Sequence, residues 1–457
     1  MAFDPAAYKK GTLAGVLGCG TSGLAAARLL LDKGFRVLVS DSAPQAELTR
    51  RLKGLPRRIL REGGGHSKRL LRCAFVVKSP GLAPALPILS ALRQAGVPVF
   101  SEMEVGLAFS RSRELVAVTG TNGKTTTALL TAAIFRAAGR RSRPCGNLGL
   151  PFCERAAAAG ARDVLIAEVS SYQLEDSTSF RPQAAALLNV TADHLEHHGS
   201  MERYLKAKAR CFAEMGPQES AVFNADDPLC LRVARQTAAR KYFFASAAGT
   251  RVQAWIEGPR IAIRLDGKPA LRLVPPPLPG RHNLANAMAA ALLALSRGVK
   301  PAAIQRAFKS FKGVEHRLED CGVFRGLRCV NDSKATNVDS TLAALEALRP
   351  PRQTPNILLI LGGLHKGSPY TPLRQELERS VKGVLTIGSA ARKIEEDLAG
   401  AVPVFACGEL SVAVETAFKI GAAGDLLLLS PACASFDQFK NFEERGRLFK
   451  KLVRQGR

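Results

Sequence analysis

A lysine followed by a threonine at a glycine-rich turn is a phosphate-handling combination, and the chain has one in Val118-Thr-Gly120-Thr121-Asn122-Gly123-Lys124-Thr125-Thr126. Turn amides and the Lys124 ammonium would face phosphate oxygens, and the Thr125 hydroxyl would reach Mg2+. The usual P-loop needs a glycine five residues before Gly123, where Val118 stands. The segment is therefore not the generic motor-type loop. Glu168 closes the apolar run Val164–Ala167, and a carboxylate at a strand's carboxyl end is well placed to hold Mg2+. His194, His197 and His198 follow with i, i+3, i+4 spacing, which zinc could use. No cysteine or fourth ligand accompanies them, so a magnesium or substrate role is expected for His194, and solvent exposure for His197 and His198.

A second glycine-rich turn, Gly18-Cys-Gly20-Thr21-Ser22-Gly23, lies between an expected strand and an expected helix, with Asp41 closing the next strand. Glycines there let the backbone approach a diphosphate at a helix N-terminus, while the acid meets a ribose or base. Alone this suggests NAD. Another nucleotide diphosphate fits the same physics, as does a tight turn that binds nothing.

These residues need elements to hold them. Leu13–Leu17 reads as a strand, Leu24–Leu31 as a helix and Arg36–Val39 as a strand. The pattern restarts near Phe100–Glu104, with strand Leu115–Val118, the phosphate turn and helix Thr125–Ala138. A third series starts near Gly313, with strands at Cys329–Val330, Ile357–Leu361, Gly383–Ile387 and Leu426–Leu429. Such alternation predicts α/β layers with largely parallel sheets. Three domains are expected, over 1–102, 103–313 and 314–457.

Composition sets the outer limits. Of 457 residues, 46% are hydrophobic and 23% charged, which excludes a largely disordered chain. No apolar run approaches the ~20 residues of a membrane span, and the N-terminus lacks a secretory pattern. A cytoplasmic protein is expected. The ten cysteines form no C-x-x-C pair, which predicts reduced structural thiols. The net charge of +26 raises the question of nucleic acid. The densest basic stretch, Arg50–Arg72, contains no aromatic residue, so it reads as a solvated face and not a stacking groove. Residues 101–200, which hold the phosphate turn and Glu168, carry ten basic and ten acidic residues. No nucleic-acid partner is expected.

Taken in order, Gly-Thr-Asn-Gly-Lys-Thr-Thr, Glu168-Val-Ser-Ser, Asn-Val-Thr-Ala-Asp-His194, Asn224-Ala-Asp-Asp and Gly280-Arg-His-Asn283-Leu-Ala-Asn286 resemble the markers of the Mur ligases. These are ATP-dependent amino-acid ligases of peptidoglycan precursor synthesis, and the short phosphate turn is that family's own form. Four further segments resemble its D-glutamate-adding branch: Gly313-Val-Glu-His-Arg317-Leu-Glu, Asn331-Asp-Ser-Lys-Ala-Thr-Asn337, Leu361-Gly-Gly-Leu-His-Lys366-Gly, and the run from Ser430-Pro-Ala-Cys-Ala-Ser435 to Phe442-Glu-Glu-Arg-Gly.

The resemblance implies a Rossmann-like N-terminal domain for a UDP substrate, a central P-loop-type ATPase α/β domain and a Rossmann-like C-terminal domain for glutamate. It implies ATP, two Mg2+ ions, UDP-N-acetylmuramoyl-L-alanine and D-glutamate, and a monomer. Lys124, Thr125, Glu168 and His194 would serve phosphates and metal. Lys208 takes the place of a carbamylated lysine, with Lys206 beside it as a rival in register. Asn283, Asn286, Arg317 and Asp332 match ATP contacts, and Lys334 would lie by the phosphates. Thr21, Ser22, Asp41, Gly81, Asn147 and His194 match the UDP-substrate side. Thr336, Lys366, Ser435, Phe436 and Phe442 match the glutamate side, although the two phenylalanines read equally well as core. A dehydrogenase would leave Lys124, Glu168 and Lys208 without a role, and a nucleic-acid-dependent NTPase would leave Ser430–Phe442 without one. Another Mur-type ligase, adding a different amino acid, is the nearest alternative.

Overall fold

Short apolar runs ended by glycine-rich turns fold into strands whose carboxyl ends are followed directly by functional loops. The computed structural model describes residues 2–265, 269–349, 354–365, 367 and 369–455. Among them, twenty strands form three sheets. In the first, β1 (Leu13–Leu17), β2 (Arg36–Asp41), β3 (Leu60–Gly63), β4 (Phe75–Lys78) and β5 (Val99–Ser101) lie in the order β3-β2-β1-β4-β5, all parallel.

The second sheet holds β6 (Glu114–Thr119), β7 (Ser142–Gly146), β8 (Val164–Glu168), β9 (Ala184–Leu187), β10 (Ser220–Asn224), β11 (Arg240–Ala245), β12 (Ala254–Glu257), β13 (Arg260–Ile263) and β14 (Leu271–Leu273). Their order is β14-β13-β12-β11-β10-β9-β6-β8-β7, parallel except for the β12–β14 edge. Period-two alternation divides β6 between two cores. Val116 and Val118 pack with the helix Lys124–Ala137, and Leu115 and Ala117 pack with Phe152, Leu174 and Phe212.

Register is what gathers the site. Val118 lies opposite Glu168, Gly146 opposite the same residue, and Thr119 opposite Leu187. The loops after β6, β7, β8 and β9 therefore leave one sheet edge at one level.

The third sheet contains β15 (Glu319–Phe324), β16 (Leu327–Asn331), β17 (Ile357–Gly362), β18 (Val381–Ile387), β19 (Val404–Gly408) and β20 (Leu426–Leu429), in the order β15-β16-β20-β17-β18-β19. Only β15 runs antiparallel. Alternation divides β17 in the same way, with Ile357, Leu359 and Leu361 in one core and Leu358 and Ile360 in the other.

The chain forms two compact units. The first holds the first two sheets, and the second holds Pro277–Asn283 with Lys312 onward. None of the described helices is long and apolar enough to cross a membrane. The ten cysteines are thiols outside any disulfide, and eight of them are buried.

The first turn shows why its glycines differ. A Cβ on Gly23 would stand 1.9 Å from the Gly18 carbonyl oxygen and 2.5 Å from Ser79 Oγ, whereas one on Gly20 would meet nothing within 4 Å. Gly23→Ala should therefore lower unfolding stability by about 1–3 kcal/mol, as overpacking does. Gly20→Ala should stay within about 1 kcal/mol of the parent. Urea unfolding midpoints measure both.

Candidate functional site

The phosphate turn is held in shape from below. Gly123 has φ +81°, and a Cβ there would lie 2.2 Å from Asn286 Oδ1, so only glycine fits. Asn286 is itself held by the Thr127 hydroxyl at 3.2 Å. Asn189, after β9, clamps the turn by taking the Asn122 N–H on Oδ1 at 2.8 Å and donating back to the Asn122 carbonyl at 3.2 Å. Thr121 Oγ1 lies 3.2 Å from the Tyr204 hydroxyl and accepts from the Thr191 N–H at 3.0 Å. Thr126 is buried one turn further on.

Thr125 Oγ1 donates to Glu168 Oε2 at 2.7 Å, and Asn147 Nδ2 donates to Glu168 Oε1 at 2.9 Å. Glu168 is only 1% exposed. The Thr125 hydroxyl and the Glu168 carboxylate are hard oxygen donors of the kind that suits Mg2+, and the Asn147 amide N–H orients the carboxylate.

Two ammonium groups meet above the turn. Lys124 Nζ donates to the carbonyls of Gly120 and Thr121 at 3.0 and 2.7 Å, and Lys208 Nζ donates to the same Gly120 oxygen at 2.8 Å. Lys208 lies on the helix Met201–Ala213, 1% exposed, with its nitrogen 4.3 Å from the Tyr204 ring centre. Lys206, two residues earlier, is exposed to solvent. Burial, then the nearby Lys124 charge, drive the Lys208 pKa far below the ordinary lysine value. A neutral amine in a buried polar pocket is a nucleophile.

His194 adopts φ 55° and caps the short helix Leu195–His198. Its ring lies 3.6 Å from Asp193 and 5.0 Å from the Tyr172 ring centre. His197 and His198, expected in solvent, are not there. His197 Nε2 meets Glu175 at 2.9 Å, and His198, 3% exposed, meets Ser171 Oγ at 2.9 Å. Packing against Tyr172 and Tyr204 takes both rings inward. Spacing along the chain could not reveal that Glu175, from another helix, would stand beside them.

A cavity of about 320 Å³ lies between the first two sheets' loops, lined by Thr21, Ser22, Pro80 and Gly81 on one wall and by Gly146, Asn147, Ser170, Tyr172 and Gln173 on the other. Four of the six residues expected on the UDP side line it; His194 and Asp41 do not. The Asp41 carboxylate accepts the backbone N–H groups of Cys19 and Ala43, which fixes the glycine turn and the end of its own strand. The two walls are tied by Lys78, 3% exposed, whose ammonium meets Asp176 at 2.5 Å. Lys78 ends β4 just before Pro80, and Asp176 caps the helix that carries Tyr172 and Gln173. Sequence reasoning missed this pair, since only the fold joins positions 98 residues apart.

The second unit gathers another set. Asp332 follows β16, accepts from Ser430 Oγ at 2.9 Å and from the Leu318 N–H at 3.2 Å, and burial pushes its pKa up to about 7. The Arg317 charge opposes that rise, and helps burial bring His282 down to about 4. Asn283 Nδ2 donates to the Pro279 carbonyl at 2.7 Å. Lys334 Nζ sits 3.7 Å over the Phe442 ring centre, a cation–π contact. Thr336 is half-buried and Ser435 is 2% exposed. Phe436 is 69% exposed, which removes the core reading for that ring, while Phe442 is half-buried. Lys366 lies outside the described residues.

Three domain models match in chain order: a Mur ligase MurD-like N-terminal domain over 13–101, a Mur ligase middle domain over 118–294, and a Mur ligase glutamate ligase domain over 316–433. Among curated relatives, the UDP-N-acetylmuramoylalanine--D-glutamate ligase of Elusimicrobium minutum is 44% identical, covering 97% of this chain and 98% of its own. The enzyme of the same name from Anaeromyxobacter dehalogenans is 42% identical, with the same coverage. Solved structures share the fold at low identity. UDP-N-acetylmuramate-alanine ligase MurC from Thermotoga maritima superposes with a TM-score of 0.62 at 18% identity, covering 98% of this chain and all of its own. MurF from Acinetobacter baumannii gives 0.61 at 16%, covering 99% and 93%.

The tie between the cavity walls can be tested directly. Asp176→Asn leaves the Lys78 ammonium buried without its counter-ion, and should cost about 3 kcal/mol of stability. Pairing it with Lys78→Met should recover most of that loss. Urea unfolding of the single and double variants checks the prediction.

Proposed function

The chain belongs to the Mur ligase family, and on that premise we propose that it joins D-glutamate to UDP-N-acetylmuramoyl-L-alanine while ATP is converted to ADP and phosphate, in peptidoglycan precursor synthesis. The relatives at 42–44% identity over nearly the whole chain bear the name of that reaction. One structural observation carries the reading: the phosphate turn, the Thr125–Glu168–Asn147 cluster and Lys208 converge at one sheet edge, beside a cavity of about 320 Å³ that Asn147 also lines.

A carboxylate is a poor electrophile, so the substrate's L-alanine carboxylate first attacks the γ-phosphorus of ATP. The bond to the ADP oxygen breaks and an acyl phosphate forms. The amine of D-glutamate then adds to the acyl carbon, and the tetrahedral intermediate expels phosphate and a proton. Such a sequence asks the protein for alignment and for neutralisation of phosphate charge. Lys124 and the amides that open the helix Lys124–Ala137, presented by the turn Gly120–Gly123, would hold the ATP phosphates. Asn283, Asn286, Arg317 and Asp332 would hold adenosine and phosphates, with Lys334 by the phosphoryl group.

Mg2+ fits the oxygen donors of Thr125 and Glu168, with His194 near by, and when bound it would offset phosphate charge and polarise the γ-phosphoryl group. Lys208 is assigned as a carbamate. A neutral amine adds to CO2, a nitrogen–carbon bond forms and one proton leaves. The product is an anionic oxygen ligand, where a bare ammonium would repel the metal. Two ions would then find ligands. Thr21, Ser22, Gly81 and Asn147 would line the UDP-sugar path, with Asp41 acting through the turn it fixes. Thr336, Lys366, Ser435, Phe436 and Phe442 are the glutamate side. The protein would work as a monomer in the cytoplasm.

ADP release should require UDP-N-acetylmuramoyl-L-alanine and D-glutamate together. A coupled assay in which L-glutamate, L-alanine or a diamino acid served as well would overturn the assignment. Lys208→Ala should reduce kcat at least about 100-fold, the scale of losing a fixed charge-stabilising group, and short carboxylates such as acetate should restore part of it. Unchanged turnover would reject the carbamate.

A further inference from the structure

Arg445 is completely buried, at 0% exposure, on the helix Phe442–Gln455. Its five N–H donors end on uncharged oxygens. Nε donates to Ser333 Oγ at 3.0 Å. Nη2 donates to the carbonyls of Ser333 and Cys433 at 2.9 and 3.2 Å, and Nη1 to those of Gly362 and Ala434 at 3.5 and 3.4 Å. Burial pulls its pKa down to about 10, so the guanidinium keeps its charge at neutral pH with no carboxylate among the described residues bonded to it.

A buried cation without a paired anion is a costly way to hold a fold together. What it holds is informative. Its acceptors lie at or just after the carboxyl ends of β16, β17 and β20, neighbours in the sheet, in which Asn331 and Ile360 both lie opposite Leu429. Ser333 sits between Asp332 and Lys334, and Cys433 and Ala434 lead directly into Ser435. The site is too tight to be filled differently. A Cβ on Gly363 would come within 2.2 Å of the Ala434 oxygen and 3.1 Å of Arg445 Nη1. Ser333 Oγ also donates to the Phe442 carbonyl at 2.9 Å, closing the ring back onto the arginine's own helix.

We propose that Arg445 is the positioning residue of the acceptor amino-acid site: it fixes the Cys433–Ser435 turn against the Asp332–Thr336 segment, so that the groups meeting a dicarboxylate acceptor keep their register. The proposal rests on the glutamate reading of that site given above. Only a planar fork of five donors spans the three loops at once, and a lysine, with three donors on one point, does not. The uncompensated charge adds a fixed positive potential on the side of the acceptor's two carboxylates.

The test uses the full-length enzyme with Arg445→Lys, Ser333→Ala and Ser435→Ala, each followed by steady-state kinetics in all three substrates and by thermal unfolding. Arg445→Lys should raise the KM for D-glutamate about tenfold or more, and Ser333→Ala severalfold in the same direction, with the KM for the UDP substrate within about twofold of the parent. A general loss of structure would instead lower the melting temperature and kcat while moving no one KM selectively. That result, or an unchanged glutamate KM in Arg445→Lys while Ser435→Ala raises it, overturns the proposal and leaves the glutamate site standing. An unchanged glutamate KM in all three variants would show that the glutamate reading itself is wrong. If Arg445→Lys fails to fold, Ser333→Ala, which deletes the Nε acceptor alone among the five, decides between the same outcomes.

Discussion

Two lysine ammonium groups converge on one carbonyl oxygen, that of Gly120, and much of the central site follows from that crowding. Like charges this close cannot both persist cheaply in a buried place. Lys124 remains on the phosphate turn, half-buried, where an anionic ligand would meet it. Lys208, buried on the helix Met201–Ala213, has its pKa lowered well below the ordinary lysine value, by burial first and by the Lys124 charge second. The folded protein thereby holds two amino groups of unlike surroundings about one oxygen. The amine's chemistry is decided by burial and a neighbour's charge, and not by residue type alone. Lys206, two residues away and in water, shows what the same side chain is without that environment.

The crowding is possible because the turn beneath cannot relax. Asn286 closes the space over Gly123, Asn189 bonds both sides of Asn122, and Thr121 is held by Tyr204 and Thr191. None of these groups needs to touch a ligand to matter, since preorganised donors aimed at charge stabilise it without reorganisation. The cavity beside the turn follows the same logic. Its walls come from two sheets, and the part-buried Lys78–Asp176 pair joins them. A cavity built that way is shaped before a ligand arrives, at the cost of desolvating two charges.

Much of this is legible in the residues, because strand, turn and helix follow one another closely where phosphate chemistry is done. The alternation of apolar runs announces parallel α/β sheets, and the Gly-Lys-Thr turn and Glu168 announce a phosphate and metal site. What stays hidden is every relation set by tertiary contact. Asp41 reads in sequence as an acid for a ribose or base, and the two backbone amides it also accepts are not announced there. His197 and His198 read as solvated, yet aromatic packing and Glu175 draw them in. Phe436 reads as core or ligand contact, and its exposure removes the first. Arg445 is visible there only as one letter in a motif, since a buried arginine and a surface arginine look the same in a sequence.

The distribution of charge separates capture from chemistry. The first hundred residues carry sixteen basic side chains against five acidic, and the block with the phosphate turn carries equal numbers. The basic stretch from Arg50 to Arg72 lies largely in solvent, where screening over about 8–10 Å limits its reach. The basic groups at the strand ends are few and singly placed: Lys124 and Lys208 meet at the Gly120 carbonyl, and Arg445 lies behind the strand ends of the third sheet. A ligase named for alanine shares this fold at 18% identity, and relatives named for D-glutamate match at 42–44%, so the sheets cannot be what chooses the amino acid. The choice must lie in strand-end loops, whose sequence is free to change while the register that aims them stays fixed. A buried guanidinium that ties three such loops to one another is the kind of part that lets them differ without drifting apart.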